Sequence, residues 1–182
     1  ENGEKVDRKR VISSVSRCVN PYEKEGFDAM MELAVSDDLE YIVSNTTEAG
    51  IVYDPECRME DQPCSSFPGK LTQVLYARYK AEKSGLVILS CELIDNNGKE
   101  LLKCVEQYIS QWGLEEGFRK YVSEDCTFCS TLVDRIVPGR IKDAEEAEKL
   151  EKENGYRDQL LDVGEVFGVW NIEGPQWLEE KL

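Results

Sequence analysis

The sequence contains no histidine among its 182 residues, which excludes His-based catalysis and the commonest protein metal ligand. It also lacks any apolar run near the roughly 20 residues that a membrane helix requires, and it does not open with a secretion signal. Positive charge is scarce, because 22 Lys and Arg face 37 Asp and Glu, for a formal charge of −15. Nucleic acids and anionic membranes bind clustered cations, so we expect neither as a partner.

Several catalytic and phosphate-binding motifs are also absent. No two of the 13 glycines are two positions apart, so GxGxxG does not occur, and neither GxxxxGK[ST] nor GxSxG is present. Seven cysteines at irregular spacing, in a chain too large to need disulfides, predict reduced thiols and a cytoplasmic protein. The one CxxC, Cys126 to Cys129, has no second pair at zinc spacing. Two semi-buried thiols on a strand are the favoured interpretation, and a small metal site is the alternative.

The apolar pattern predicts an alternation of strands and helices, which is typical of an α/β fold with a mainly parallel sheet and flanking helices. The length suits one domain, or most of one. A long irregular connection is expected at 53–68. Strands are predicted at 11–19, 39–44, 86–89, 131–137 and within 160–172, and helices at 27–35, 68–80, 98–112 and 141–154.

Polar side chains follow two of the predicted buried strands. Residues 45–48 follow the strand at 39–44, and residues 92–97 follow the strand at 86–89. Because ligands of parallel sheets bind at the carboxyl ends of the strands, we expect both segments to share one rim. The alternatives are local ones: an ordinary turn after the first strand, and an N-cap role for Asn97.

Several stretches of the sequence resemble the mannitol dehydrogenase family of polyol-type long-chain dehydrogenases. The forms SNTTEAG and ELIxxNG resemble the uronate-reducing branch of that family more than its mannitol dehydrogenases. The resembling stretches are SRCVNPY (16–22), IVSNTTEAGIVYDPE (42–56), FPGKLTQVLYARYK (67–80), ILSCELIDNNGKELLKCV (88–105), TLVDRIVPG (131–139) and GEVFGVWNIEGP (164–175).

This resemblance implies an NAD-dependent oxidoreductase that interconverts tagaturonate and altronate in hexuronate catabolism. It implies a Rossmann-like (doubly wound) fold, of which residues 1–182 are the C-terminal portion. The glycine-rich turn is then expected before Glu1 and the catalytic lysine, in a helical substrate domain, after Leu182. The chain alone is expected to be inactive and to pack on those missing segments. The alternatives are a fructuronate or mannitol oxidoreductase of the same family, or a non-catalytic acidic interaction module.

The resemblance also implies the residues of the site. An uncharged amide such as that of Asn97 is suited to hold a substrate oxygen on which negative charge develops, which is a catalytic as well as a substrate-binding role. Glu48 is implied as the second substrate-binding residue. The implied cofactor-binding residues are Asn45, Thr46, Thr47, Val133 and Asp134, and no metal ligand is implied.

Overall fold

The computed structural model describes Gly3, Val6 and residues 8–182. The chain divides into a larger unit, Val11–Leu132 with Asn171–Leu182, and a smaller unit, Val133–Trp170 with the described residues of the first ten. Within the described residues, no helix is both long and apolar enough to cross a bilayer. The helices are α1 (Lys24–Ala34), α2 (Phe67–Lys80), α3 (Asn97–Gln111), α4 (Glu116–Lys120) and α5 (Ala144–Asn154), and the strands are β1 (Tyr41–Ser44), β2 (Val87–Ser90), β3 (Thr127–Asp134) and β4 (Val169–Glu173).

The four strands form one sheet in the order β1-β2-β3-β4, and β1 with β2 and β2 with β3 pair in parallel. The predicted mainly parallel α/β architecture is therefore confirmed. Strand β2 is buried along its whole length, as its continuous apolar run predicts. On one side Ile88 packs into the main core with residues of α2 and α3. On the other side Val87 and Leu89 pack against Cys129 and Leu178.

Buried Arg78, on α2, connects three segments of the larger unit. Only 1% of its surface is exposed. Its guanidinium donates hydrogen bonds to the carbonyls of Ala34 (3.0 Å), Ser36 (2.7 Å), Leu39 (3.0 Å) and Ser84 (2.7 Å). These carbonyls lie at the end of α1, before β1 and before β2, so one side chain fixes the entry of both strands.

Three of the strand predictions need correction. The segment 11–19 is irregular, and Val11, Ile12 and Val15 are exposed. The predicted strand at 131–137 is replaced by β3, which starts and ends earlier, and in 160–172 a strand begins only at Val169. Strand formation depends on neighbours that take the peptide hydrogen bonds, and residue composition does not reveal those neighbours. The four predicted helices are confirmed to within three residues at each end.

Candidate functional site

The carboxyl ends of β1 and β2 lie side by side in the sheet. In the parallel register Ser44 is opposite Ser90, and Ser90 is opposite Ser130 of β3. The segments 45–48 and 92–97 therefore leave the sheet at the same edge, and the predicted shared rim is confirmed. We call these two segments the carboxyl rim.

Glu92 joins the two segments of the carboxyl rim. Its carboxylate accepts hydrogen bonds from the Ser44 hydroxyl (3.0 Å), the Thr46 peptide N–H (3.1 Å) and the Thr46 hydroxyl (2.8 Å). Only 1% of the residue is exposed. A buried carboxylate is tolerated only when hydrogen-bond donors replace its water, and here three neutral donors converge on it. The end of β1 is thereby held to the end of β2.

The turn after β1 contains a residue in a strained conformation. Thr47 has φ of 69°, in the left-handed region that β-branched residues rarely adopt. Such a conformation costs about 1–3 kcal/mol and is found most often at active sites and binding sites. The peptide N–H of Gly50 donates to the Thr47 carbonyl at 3.1 Å and closes the turn. A Cβ at Gly50 would lie 1.9 Å from Oγ1 of Thr46, so a side chain does not fit there.

The side chain of Asn97 joins the rim to β3. Its Nδ2 donates to the carbonyls of Glu92 and Thr131, both at 2.8 Å. Its Oδ1 accepts from the peptide N–H groups of Gly98 and Thr131, both at 2.9 Å. The amide thus uses both donor protons and both acceptor positions on main-chain groups. Asn97 is also only 1% exposed.

These contacts correct the N-cap alternative for Asn97. The N-cap position of α3 belongs to Asn96, which has φ of 54° and makes no side-chain capping bond. Asn97 is the first helical residue, and its oxygen bonds its own neighbour and β3 instead of a later turn of the helix. The substrate contact of Asn97 stays a prediction, and to make it the amide would have to give up one of its four partners.

Gly98 lets the start of α3 approach β3 closely. A Cβ on this residue would lie 2.5 Å from the carbonyl carbon and oxygen of Cys129. The Gly98 peptide N–H also lies 3.2 Å from the Ser130 hydroxyl, to which it donates. The glycine is therefore required by packing, and it brings the rim segment 92–97 onto β3.

The residues implied by the resemblance fall into two groups. Asn45, Thr47 and Glu48 are exposed and Thr46 is half-buried. Val133 and Asp134 are the last two residues of β3 and belong to the smaller unit. The larger unit brings together the other five, at the carboxyl rim: Asn45, Thr46, Thr47, Glu48 and Asn97.

The hydrogen-bond network of the rim also includes Glu92 and Ser44, which the sequence alone does not single out as site residues. The available signal was the position of Glu92, a carboxylate directly after an apolar strand. Its partner Thr46 is 46 positions away in the sequence, and only the parallel register brings the two together.

The CxxC cysteines pack on different sides of the sheet. Cys126 lies in the main core, whereas Cys129 packs with Val87 and Leu89 on the other side. One metal ion needs its ligands on a common side, so this pair is not arranged as a zinc site. Over the described part of the chain, no three potential metal-ligating side chains come together. All seven cysteines are free thiols.

Comparison with protein families matches residues 1–182 to the "Mannitol dehydrogenase Rossmann domain". The altronate oxidoreductase of Bacillus subtilis (strain 168) is 46% identical over 186 residues, which cover 100% of this chain and 38% of that protein. The altronate oxidoreductase of Phocaeicola vulgatus is 44% identical over 97% of this chain and 37% of its own length. That of Pectobacterium carotovorum is 45% identical over 100% of this chain and 37% of its own length. The chain thus spans less than two fifths of these curated relatives.

Two solved structures have a similar fold. A substrate-free D-sorbitol dehydrogenase superposes with a TM-score of 0.66 and 25% identity, over 84% of this chain and 33% of that one. A Pseudomonas fluorescens mannitol 2-dehydrogenase, solved with NAD and D-mannitol, superposes with a TM-score of 0.66 and 18% identity. That match covers 82% of this chain and 32% of the mannitol 2-dehydrogenase.

Proposed function

The chain belongs to the mannitol dehydrogenase family, whose Rossmann domain matches residues 1–182, and on this basis we propose that it is part of an NAD-dependent oxidoreductase that interconverts tagaturonate and altronate. The observation that carries the proposal is the identity of 44–46% to altronate oxidoreductases over 97–100% of the chain. The match to the sorbitol dehydrogenase is lower, at 25%. A keto-uronate substrate is therefore favoured over a neutral polyol.

The carboxyl rim is the part of the chain to which we assign the nicotinamide end of the cofactor. Its exposed groups, the Asn45 amide and the peptide and hydroxyl groups of Thr47, are neutral donors and acceptors that suit ribose hydroxyls. Ligands of parallel sheets bind at this edge. The absence of GxGxxG from the 182 residues supports assigning them to the nicotinamide side of the cofactor domain, as its C-terminal portion.

The residues of the rim have distinct roles in this proposal. When bound, reduced nicotinamide supplies the hydride that reduces the substrate ketone. Asn45, Thr46 and Thr47 hold the ribose by hydrogen bonds, and Glu48 accepts hydrogen bonds from hydroxyl groups of the sugar acid. Asn97 holds the rim segment 92–97 to Thr131 of β3. The assignment of Val133 and Asp134 to the nicotinamide rests on the sequence resemblance alone.

A cytoplasmic location is part of the same proposal. It rests on the seven cysteines, all of which are free thiols in the structure. Free thiols at buried positions are typical of proteins in a reducing compartment.

Hybrid enzymes test the proposal. Residues 1–182 replace the matching segment of the Bacillus subtilis altronate oxidoreductase in one hybrid, and the matching segment of the Pseudomonas fluorescens mannitol 2-dehydrogenase in the other. Oxidation of NADH is followed with tagaturonate for the first hybrid and with fructose for the second. We expect turnover from the first hybrid and at least about tenfold less from the second. A tenfold loss corresponds to about 1.4 kcal/mol of activation free energy, which we attribute to poorer packing between the exchanged segment and the rest of the enzyme.

Each hybrid is first checked for folding by its thermal melt, and the two unmodified parent enzymes serve as controls. A folded first hybrid that does not reduce tagaturonate would contradict the proposal. So would a second hybrid that reduces fructose faster than the first reduces tagaturonate, because the chain would then belong with the neutral polyol enzymes.

A further inference from the structure

We propose that Glu92 is a positioning residue, whose buried carboxylate holds the Thr46–Thr47 turn in the conformation that receives the nicotinamide ribose. This inference rests on the proposed function for the identity of the ligand. It rests on the geometry of the larger unit for the role of the carboxylate itself.

The hydrogen bonds that the Glu92 carboxylate accepts all come from residues at the end of β1. Two donors belong to Thr46, through its peptide N–H (3.1 Å) and its hydroxyl (2.8 Å), and the third is the hydroxyl of Ser44 (3.0 Å). None of these donors is a cation, and no lysine or arginine of the described residues forms an ion pair with Glu92. Only 1% of Glu92 is exposed, so its carboxylate is held by these three donors and not by water.

The strain at Thr47 explains why such a strong acceptor is useful. The residue before the strained peptide, Thr46, is held by Glu92, and the carbonyl of Thr47 is held by the N–H of Gly50 at 3.1 Å. A residue at φ of 69° relaxes unless its surroundings fix it on both sides. Glu92 fixes the turn on the side that lies toward the sheet.

The carboxylate also fixes the direction of the Thr46 hydroxyl. An ionised carboxylate only accepts hydrogen bonds, so the one hydroxyl proton of Thr46 is directed to Glu92. Any further hydrogen bond of this oxygen must be accepted from a ligand. A ribose hydroxyl or a carboxamide NH2 is such a donor, whereas a phosphate oxygen is not. This polarity fits the nicotinamide end of the cofactor and excludes its phosphates at this atom.

Steady-state kinetics of the altronate oxidoreductase hybrid test the proposal. The variants are Glu92→Gln, Thr46→Val and, as a matched surface control, Glu100→Gln, whose carboxylate pairs with Lys103 on α3. We expect KM for NADH to rise roughly tenfold in Glu92→Gln and about threefold in Thr46→Val, which corresponds to the loss of part or all of a charge-assisted contact. At saturating NADH, kcat should stay within about twofold, and Glu100→Gln should match the unmodified hybrid.

A double variant separates positioning from a general loss of structure. Glycine adopts positive φ without strain. In Thr47→Gly the turn is therefore not strained, and it should keep its conformation even when Glu92 is replaced. We therefore expect the ratio of KM values between Glu92→Gln and its parent to be smaller in the Thr47→Gly background. An unchanged ratio would overturn the proposal, and so would equal losses in kcat and kcat/KM together with a lowered Tm.

Hydrogen exchange on the 182-residue chain gives a readout that does not depend on the cofactor. The Thr46 amide should be protected in the parent and in Glu100→Gln, and should lose its protection in Glu92→Gln. If the unmodified hybrid has no activity but this protection pattern is observed, the proposed function is wrong, whereas the positioning of the Thr46–Thr47 turn by Glu92 is still supported. An unprotected Thr46 amide in the parent chain would overturn the positioning role directly.

Discussion

Replacement of Asn97 by alanine separates a structural role from a substrate contact. The variant removes four hydrogen bonds to main-chain groups. The Gly98 N–H keeps the Ser130 hydroxyl as a partner at 3.2 Å. The Glu92 carbonyl likewise keeps the Ile94 peptide N–H as a partner at 2.8 Å. Two groups then lose the partner that Asn97 gives them, namely the peptide N–H and the carbonyl of Thr131. At about 1–3 kcal/mol for each unsatisfied group, and toward the low end because a water can enter the vacated space, Asn97→Ala should cost about 2–4 kcal/mol.

Urea unfolding of the 182-residue chain, followed by circular dichroism, measures this loss. With a slope of about 2 kcal/mol per molar urea, the midpoint should fall by about 1–2 M. The slope itself should not change, because the surface exposed on unfolding stays the same. Asn154→Ala is the matched control, since Asn154 is exposed at the end of α5, and its cost should stay within about 0.5 kcal/mol.

The opposite outcome would refute this reasoning. If Asn97→Ala unfolds within about 0.5 kcal/mol of the parent while turnover of the hybrid enzyme falls by about 100- to 1000-fold, the amide acts as a donor to the reacting oxygen. The four main-chain contacts would then be exchanged for a substrate contact in the working enzyme.

Three further predictions concern the packing of the larger unit. Arg78→Met leaves four carbonyls without their cation and should lower the free energy of unfolding by about 3–5 kcal/mol, measured by urea unfolding; a loss below about 1 kcal/mol would contradict the role of Arg78. Gly98→Ala places a Cβ 2.5 Å from the main chain of Cys129 and should lower Tm at least as far as Asn97→Ala does, and an unchanged Tm would contradict the close approach. Burial raises the pKa of Cys64 and of Tyr108 to about 12, from 9.0 and 10.0. Both groups release their proton more easily in the unfolded chain, so stability should fall steadily from about pH 9 toward pH 12, and a flat profile of urea midpoints over that range would contradict it.

The parts of the fold that follow from local pattern could be predicted from the sequence. The continuous apolar run of β2 and the periodicity of α2 each depend on residues within one element. The parallel pairing followed from the alternation of those elements, and the shared rim followed from the parallel pairing. These steps need no knowledge of distances.

The remaining features depend on contacts between distant residues. The segment 11–19 has the composition of a strand but lies exposed. Composition does not reveal whether a neighbouring strand is available. The sequence favours Asn97 as an N-cap because a helical pattern follows it, whereas in the structure the N-cap is Asn96, in a left-handed conformation. The role of Glu92 depends on Thr46, and only the register of two strands brings these residues together.

The most direct test of the account is the position of the nicotinamide ribose in a crystal structure of the altronate oxidoreductase hybrid with bound NAD. The account predicts ribose oxygens within about 3 Å of polar atoms of Asn45, Thr46 or Thr47, with the Thr46 hydroxyl still donating to Glu92. A nicotinamide ribose bound at the amino ends of the strands, without contact to residues 45–48, would contradict it.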